Sequence, residues 1–390
     1  MNTKTKDVGI FIGRFQPAHE EHMNIIGNMI KENDHSFILI GDSQKLTVRD
    51  PFTYDERVSI IKEYFSAALP NHKGWADKSL GRMEDDVEKL SFARIMDIPG
   101  DNSAWVTNVK FTVKNLVKKH FEISKTNHFI VNVKLYGYNK DESSFYLSLF
   151  PEWHRMGSTI IKNPEVSSTR IRDELYLGII NNTPFMEMSK TGFEGIARKE
   201  VISRILLKVS MASPRFKNLA EDWNYYKKYI NESLAYKHKP MHATADAAVI
   251  CNSHVLLIKR GKTPGKGLYA LPGGFVEQGE PVLTAALREL KEETGLGHDL
   301  LTLTNVIVMD NPQRSLRGRV ISHVHVFNAI CVAHELLDVK AADDAEEAIW
   351  VHTKEALRMD KGAFFEDHYN IIENIMFFKQ QTESKPYLLI

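Results

Sequence analysis

Three glutamates, Glu289, Glu292 and Glu293, stand at i, i+3 and i+4 in a stretch whose apolar residues recur at helical spacing. On a helix they share one face. Three carboxylates there repel one another unless a cation neutralises them. Hard divalent ions with oxygen ligands meet that need, Mg²⁺ first and Mn²⁺ as the alternative. Glu280, at the start of the same helix, can reach the same region or favour the helix dipole. Just ahead of it, Gly273 and Gly274 permit a tight loop and a close backbone approach to a ligand.

A second group lies near the N-terminus, in GRFQPAHEEH (Gly13 to His22). A glycine ends an apolar run, a proline shapes the turn, and His19 and His22 follow one helical turn apart at a helix start. Unpaired backbone N–H groups and a positive dipole make that helix end attractive to phosphate. Two imidazoles there can donate hydrogen bonds to phosphate oxygens as charge develops.

The elements that must position these groups fall into two patterns. Val8 to Ile12, Phe37 to Ile40 and Phe129 to Tyr136 are short apolar runs closed by glycines, suited to buried parallel strands. A helix from about His19 to Ile30 follows the first, with Met23, Ile26 and Ile30 on one face. Strand, helix and strand at this spacing predict an α/β domain of Rossmann-like type, a parallel sheet with its ligands at the carboxyl ends of the strands. From Ala243 onward the pattern turns to β, in ATADAAVICN, HVLLIKR, VIVMD and ISHVHVFNAICVA. One strong helix, Pro281 to Thr294, interrupts these strands and turns Leu283, Ala286, Leu287 and Leu290 to the core. Another helix is expected around His368 to Phe378, and the whole reads as an α+β sandwich. Between the two patterns lie helical stretches at Glu200 to Val209 and Leu219 to Tyr229, then a boundary signal at Lys237-His-Lys-Pro240. The predicted domains are 1–185, a helical connector 186–240, and 241–390.

Bulk properties exclude several classes. At 390 residues the chain suits two domains, and 43% hydrophobic with 26% charged residues is ordinary for a globular protein. Fifty basic residues balance fifty acidic ones, so no global charge points to nucleic acid or an acidic membrane. No apolar run reaches the eighteen or so residues that span a bilayer, and the N-terminal apolar stretch is too short for a signal peptide. A cytoplasmic protein is expected, with a homo-oligomer left open. Cys251 and Cys331, both in apolar runs, read as buried core thiols rather than as a disulfide or metal pair.

The glutamate segment resembles the box of the Nudix hydrolases, G-x5-E-x7-R-E-U-x-E-E-x-G-U with U aliphatic. It matches at Gly274, Glu280, Arg288, Glu289, Glu292, Glu293 and Gly295, with Leu290 and Leu296 aliphatic. At about 7% per residue, seven fixed matches arise by chance roughly once in 10⁸ starts. The resemblance implies hydrolysis of a nucleoside diphosphate linked to another moiety. Glu280, Glu289, Glu292 and Glu293 become metal ligands, Glu292 and Glu293 catalytic, and Gly274 part of the substrate loop. Arg288 orients the glutamates by ion pairing. Glu346, Glu347 and Glu366 are candidates for the general base. The run DNPQRSLRGRVISHVHVF is similar to Nudix enzymes acting on ADP-ribose, and Arg314, Arg317 and Arg319 would contact phosphate or ribose, the alternative being a solvated basic hairpin.

GRFQPAHEEH resembles the nucleotidyltransferase signature G-x-F-x-P-x-H-x-G-H, and VSSTRIR (Val166 to Arg172) its partner I-S-S-T-x-I-R. In that superfamily His19, His22 and Arg172 would hold ATP phosphates at the transition state. Ser168 and Thr169 would cap the following helix, and Gly13, Arg14 and Phe15 would line the same site. Glu21 replaces the motif's second glycine, and a carboxylate near a triphosphate is unwelcome unless it points outward or meets Mg²⁺. RDPFTYDER (Arg49 to Arg57) and YGYNKDESSFYLSLFPEW (Tyr136 to Trp153) look like the archaeal-type nicotinamide mononucleotide adenylyltransferases, Asp50 standing where Asn is usual. That resemblance implies a tryptophan stacked on the nicotinamide ring, here Trp105, with Lys140 and Asp141 in the same pocket. The two halves together resemble a bifunctional family of NAD metabolism whose substrates are ATP, NMN and ADP-ribose. Two alternatives stand beside this. The Nudix half could be a ligand sensor, or the acceptor could be nicotinate mononucleotide.

Overall fold

The computed structural model describes residues 5–42, 45–66, 88–97, 102–123, 130–137, 142–156, 167–182, 213–331 and 335–383. The chain divides into two compact units, Met1–Leu219 and Ala220–Ile390. Lys140, Asp141, Val166 and the expected helix at Glu200 to Val209 lie outside the described residues.

In the first unit β1 (Thr5–Gly13), β2 (His35–Asp42), β3 (Leu90–Met96), β4 (Ile130–Tyr136) and β5 (His154–Arg155) form one parallel sheet in the order β3-β2-β1-β4-β5. Apolar residues cover both faces of the central strands, as a sheet flanked by helices requires. Val8, Ile10, Phe37, Ile38, Leu39 and Ile40 are almost wholly buried. The helices are α1 (Glu20–Glu32), α2 (Tyr54–Ser66), α3 (Asn102–His120) and α4 (Ser168–Ile180). Strand order reverses at β1, with β2 on one side and β4 on the other, so a crevice opens beyond its carboxyl end. GRFQPAHEEH begins there.

The helix α5 (Arg215–Ser233) spans the division between units. Beyond it, β6 (Met241–Cys251), β7 (His254–Arg260), β8 (Tyr269–Ala270), β9 (Gly273–Phe275), β10 (Leu301–Met309), β11 (Arg319–Ala329) and β12 (Ala345–His352) make a mixed sheet with core order β10-β11-β6-β7-β12. β8 pairs with β7 and β9 with β6. The helices are α6 (Val282–Thr294), the short α7 (Thr353–Ala356) and α8 (His368–Glu383). β12 was not foreseen. Its run AEEAIWVH carries two charges and is only half-buried at this sheet edge, so the apolar pattern is weak.

Two expectations are corrected here. Leu283 does not face the core and is 37% exposed. In that first turn of α6 it is Ala285 and Ala286 that pack on Ala245, small side chains that bring the helix close to β6. Cys251 and Cys331 are not separate thiols but are joined in a disulfide. β11 pairs in parallel with β6, Asn328 opposite Ile250, so the strands' ends bring the two sulfurs together.

Candidate active sites

In the first unit the loop after β1 runs straight into α1, and His19 is its N-cap in extended conformation. The His19 backbone N–H donates to Nδ1 of His22 at 3.2 Å, and the two rings lie 3.8 Å apart. Because Nδ1 of His22 accepts, the proton of its neutral ring sits on Nε2. Phe15, at a positive φ of 50°, packs edge-on to His22 at 5.1 Å.

The loop is held from two sides. The Gln16 side chain, 5% exposed, donates to Phe52 O and accepts from Phe52 N, both at 3.0 Å. From α4, Ser168 Oγ donates to Pro17 O at 2.9 Å, and Arg172 donates to Gln16 O and, at 3.1 Å, to Thr169 Oγ1. The N-termini of α1 and α4 are thereby tied together with two imidazoles and a guanidinium, an arrangement made for a polyphosphate. The N-cap of α4 is Ser167, whose side chain accepts from Arg170 N, not Ser168 or Thr169 as expected. Ser168 instead anchors the histidine loop. Glu21 does not point to water. It is buried, 4% exposed, in the first turn of α1, where the helix dipole favours a carboxylate.

Around this loop lies an ionic frame that the sequence reading missed. Arg14 pairs with Asp50 at 3.3 Å and with Asp97 at 2.9 Å. Arg57, fully buried, donates to the carbonyls of Arg14 and Gly41 and to Asp42, while Arg94 also pairs with Asp42. Burial raises the Asp97 carboxyl against the pull of Arg14. Asp42 ends β2 and Asp97 directly follows β3, so acids just beyond parallel strands were the available signal. Trp105, in the first turn of α3, is half-buried and edge-on to Tyr146 (6.3 Å) and Phe150 (6.0 Å). Tyr146 Oη in turn donates to Ile12 O at the end of β1.

In the second unit β9 carries the glycine loop onto β6 and α6 brings the glutamates to it. A Cβ on Gly274 would lie 2.3 Å from Glu289 Oε1, so any side chain there would push that carboxylate aside. Glu293 is buried and accepts from Gly273 N at 2.9 Å; burial pushes its carboxyl up to about 8. Arg288 occupies the centre. It grips Glu280 with two nitrogens (2.8 and 3.2 Å) and reaches Glu289 (2.9 Å), Glu292 (3.0 Å) and Phe275 O (3.2 Å). Among the described residues, no three acids, histidines or cysteines converge as a metal cage. The repulsion expected between the glutamates is met by Arg288. The donor set is nonetheless all oxygen, and Glu293 is a buried carboxyl, which fits a hard divalent ion. Asp246, beneath Gly273 and bonded by Ser322 Oγ, is raised to about 6 by burial. It was not anticipated, because it sits inside an apolar strand.

The three arginines of the 311–320 loop diverge. Arg314 is buried in a bidentate pair with Asp367 (2.8 and 3.0 Å). Arg317 pairs with Glu366 at 3.0 Å and lies over the rings of Phe275 (5.0 Å) and Phe365 (5.8 Å). Arg319 donates to Asp310 O and stays near the surface. Of the three base candidates, Glu346 is exposed, Glu347 pairs with Lys259, and Glu366 is engaged by Arg317 and Ser315.

Residues 10–174 match the cytidylyltransferase-like family and residues 241–375 the NUDIX domain. A nicotinamide/nicotinic acid mononucleotide adenylyltransferase of Acinetobacter baylyi is 30% identical over 182 residues, 46% of this chain and 81% of that protein. An ADP-ribose pyrophosphatase of Methanocaldococcus jannaschii is 38% identical over 158 residues, 40% of this chain and 81% of its own. A bifunctional NMN adenylyltransferase/ADP ribose pyrophosphatase from Francisella tularensis has a solved structure that superposes with a TM-score of 0.71 at 29% identity, covering 95% of this chain and 99% of that one. Its complex with AMP and a manganese ion gives 0.69 at 28% identity, with 96% and 99% covered. The chain belongs to two families at once, the mononucleotide adenylyltransferases by its first half and the Nudix ADP-ribose pyrophosphatases by its second. No helix among the described residues is long and apolar enough to cross a membrane.

Proposed function

We propose that this chain is a bifunctional enzyme that joins AMP from ATP to NMN, giving NAD⁺ and pyrophosphate, and hydrolyses ADP-ribose to AMP and ribose 5-phosphate. The observation that carries the reading is the likeness, over 95% of the chain, to a structure described as performing both activities. In the first reaction a phosphate oxygen of the mononucleotide attacks the α-phosphorus of ATP. The Nε2–H of His22, the neighbouring His19 and the guanidinium of Arg172 stabilise the charge on the departing pyrophosphate. Arg14 and Phe15 line the approach, and the half-exposed Trp105 is the proposed partner of the nicotinamide ring.

In the second reaction Glu289, Glu292 and Glu293, with Glu280 as accessory, would hold Mg²⁺ or Mn²⁺, which would supply charge neutralisation at the diphosphate and a more acidic water. The chain's own part is to clear the loop at Gly274, to aim the carboxylates through Arg288, and to seat the substrate beside Arg317 and Arg319. ATP, NMN and ADP-ribose are all intracellular nucleotides, and the reading carries a cytoplasmic location with it. The domains proposed for these reactions are 1–185 and 241–390.

The test is a product assay on the purified full chain with divalent metal. ATP with NMN should yield NAD⁺, ATP with nicotinate mononucleotide run alongside defines the acceptor, and ADP-ribose should yield AMP. The double substitution Glu292→Gln, Glu293→Gln should abolish hydrolysis and spare NAD⁺ synthesis. If wild type cleaves no nucleoside diphosphate derivative with either metal, the hydrolase half of the reading fails and a sensor role replaces it.

A further inference from the structure

Helix α5 lies ahead of the segment that matches the NUDIX domain, residues 241–375, yet one of its aromatic side chains meets the start of that segment at His242. Its anchoring is firm. The Asp222 carboxylate accepts from Gly265 N through both oxygens, at 3.0 and 3.1 Å. Tyr226, one turn on, turns inward and is only 8% exposed.

Tyr229 behaves differently. It stays half-exposed, shares a 3.0 Å hydrogen bond with Nε2 of His242, and holds that ring 5.4 Å away at an angle of 59°. His242 in turn meets Phe275 edge-on at 5.7 Å, and both are half-exposed too. Phe275 directly follows Gly274, the residue pressed against Glu289. A path of tilted aromatic rings therefore runs from the carboxylates toward α5. These neighbours meet at 59° and 71° and so do not stack on one another. Tyr225 lies against one side of Tyr229 at 6.0 Å and Arg317 over one side of Phe275. The partial exposure of all three rings leaves surface for a flat ligand. The charge of Arg317 beside Phe275 is already met by Glu366, so this end of the site favours a planar group over a further anion.

We infer that Tyr229, His242 and Phe275 form the stacking platform for the nucleobase of the nucleoside diphosphate cleaved at α6, so that α5 supplies part of the substrate specificity of the second unit. The inference rests on the hydrolase reading above and adds to it the group that selects the base. Stacking on an aromatic ring tolerates any base in principle, so the platform contributes affinity and orientation rather than chemistry.

The experiment is steady-state ADP-ribose hydrolysis by the full chain carrying Tyr229→Ala or Tyr229→Phe, with product inhibition by AMP and by ribose 5-phosphate. Tyr229→Ala should raise KM roughly 5- to 100-fold with kcat within about twofold, and leave NAD⁺ synthesis unchanged. The inhibition constant for AMP should rise in parallel while that for ribose 5-phosphate stays put. Tyr229→Phe, which keeps the ring and loses only the hydroxyl, should restore most of the affinity. An active wild type with an unaltered KM in Tyr229→Ala overturns the platform alone, as do inhibition constants for both products that move together. A wild type without hydrolase activity overturns the underlying reading and the platform with it.

Discussion

Gln16 offers a quantitative test of how the first site is built. Its amide makes two 3.0 Å bonds, as donor and acceptor, to the backbone of Phe52, 36 residues away. Both partners are buried, Gln16 at 5% and Phe52 at 1% exposure. The same residue's carbonyl receives Arg172, so one side chain sets the height of the whole histidine loop over α4. Gln16→Ala strands a buried N–H and a buried C=O, each costing about 1–3 kcal/mol unless water enters. Together these lower the local opening free energy by about 2–6 kcal/mol. Gln16→Glu keeps an acceptor for Phe52 N but sets a carboxylate against Phe52 O, and should fall between wild type and alanine. Native-state hydrogen exchange resolved at the Phe52 amide reads this directly, with acceleration by roughly 1.5 to 4.5 decades expected in Gln16→Ala. Adenylyl transfer should lose kcat, because Arg172 and the two imidazoles no longer share one fixed frame. Unchanged Phe52 exchange together with unchanged kcat would show that the latch holds nothing and refute the reasoning.

Two further outcomes follow from other positions. Gly274→Ala places a methyl 2.3 Å from Glu289 Oε1, and should cut ADP-ribose hydrolysis at least a hundredfold while NAD⁺ synthesis, followed in the same preparation, is unaffected. His35 is 2% exposed and stacked 3.5 Å from His120; burial first, then His120, depresses its imidazole to about 4 from 6.5. The folded state binds fewer protons than the unfolded one, so its stability is complete above pH 6.5 and is lost as pH falls toward 4. The loss approaches about 3 kcal/mol, and denaturant titrations at pH 7 and 4.5 should show it shrink in His35→Phe.

Part of both sites was legible in the sequence: spacing placed Glu289, Glu292, Glu293, His19 and His22, and family resemblance added Arg288 and Arg172. Glu280, Arg288, Glu289, Glu292 and Glu293 are near in sequence, and a helix with a glycine loop before it can bring them together in few ways. His19 and His22 are likewise one turn apart at a forced helix start. The loop arginines were not legible, because Arg314, Arg317 and Arg319 alternate in a segment whose partners, Asp367 and Glu366, lie about fifty residues on. Nothing local tells which of the three turns inward.

By itself, the sequence determined many of the elements and part of the local chemistry of this protein. Periodicity defined strands and helices, and short-range spacing put carboxylates on one face and imidazoles at a helix end. Those features depend on rise and twist per residue, which neighbours in the chain specify. Tertiary structure decided everything that depends on distant pairings. It joined Cys251 to Cys331 through the parallel register of β6 and β11, set Arg14 between Asp50 and Asp97, and brought Tyr229 to His242 and His242 to Phe275. Such contacts follow from how sheets register and helices pack, and that is fixed only when the whole core is assembled.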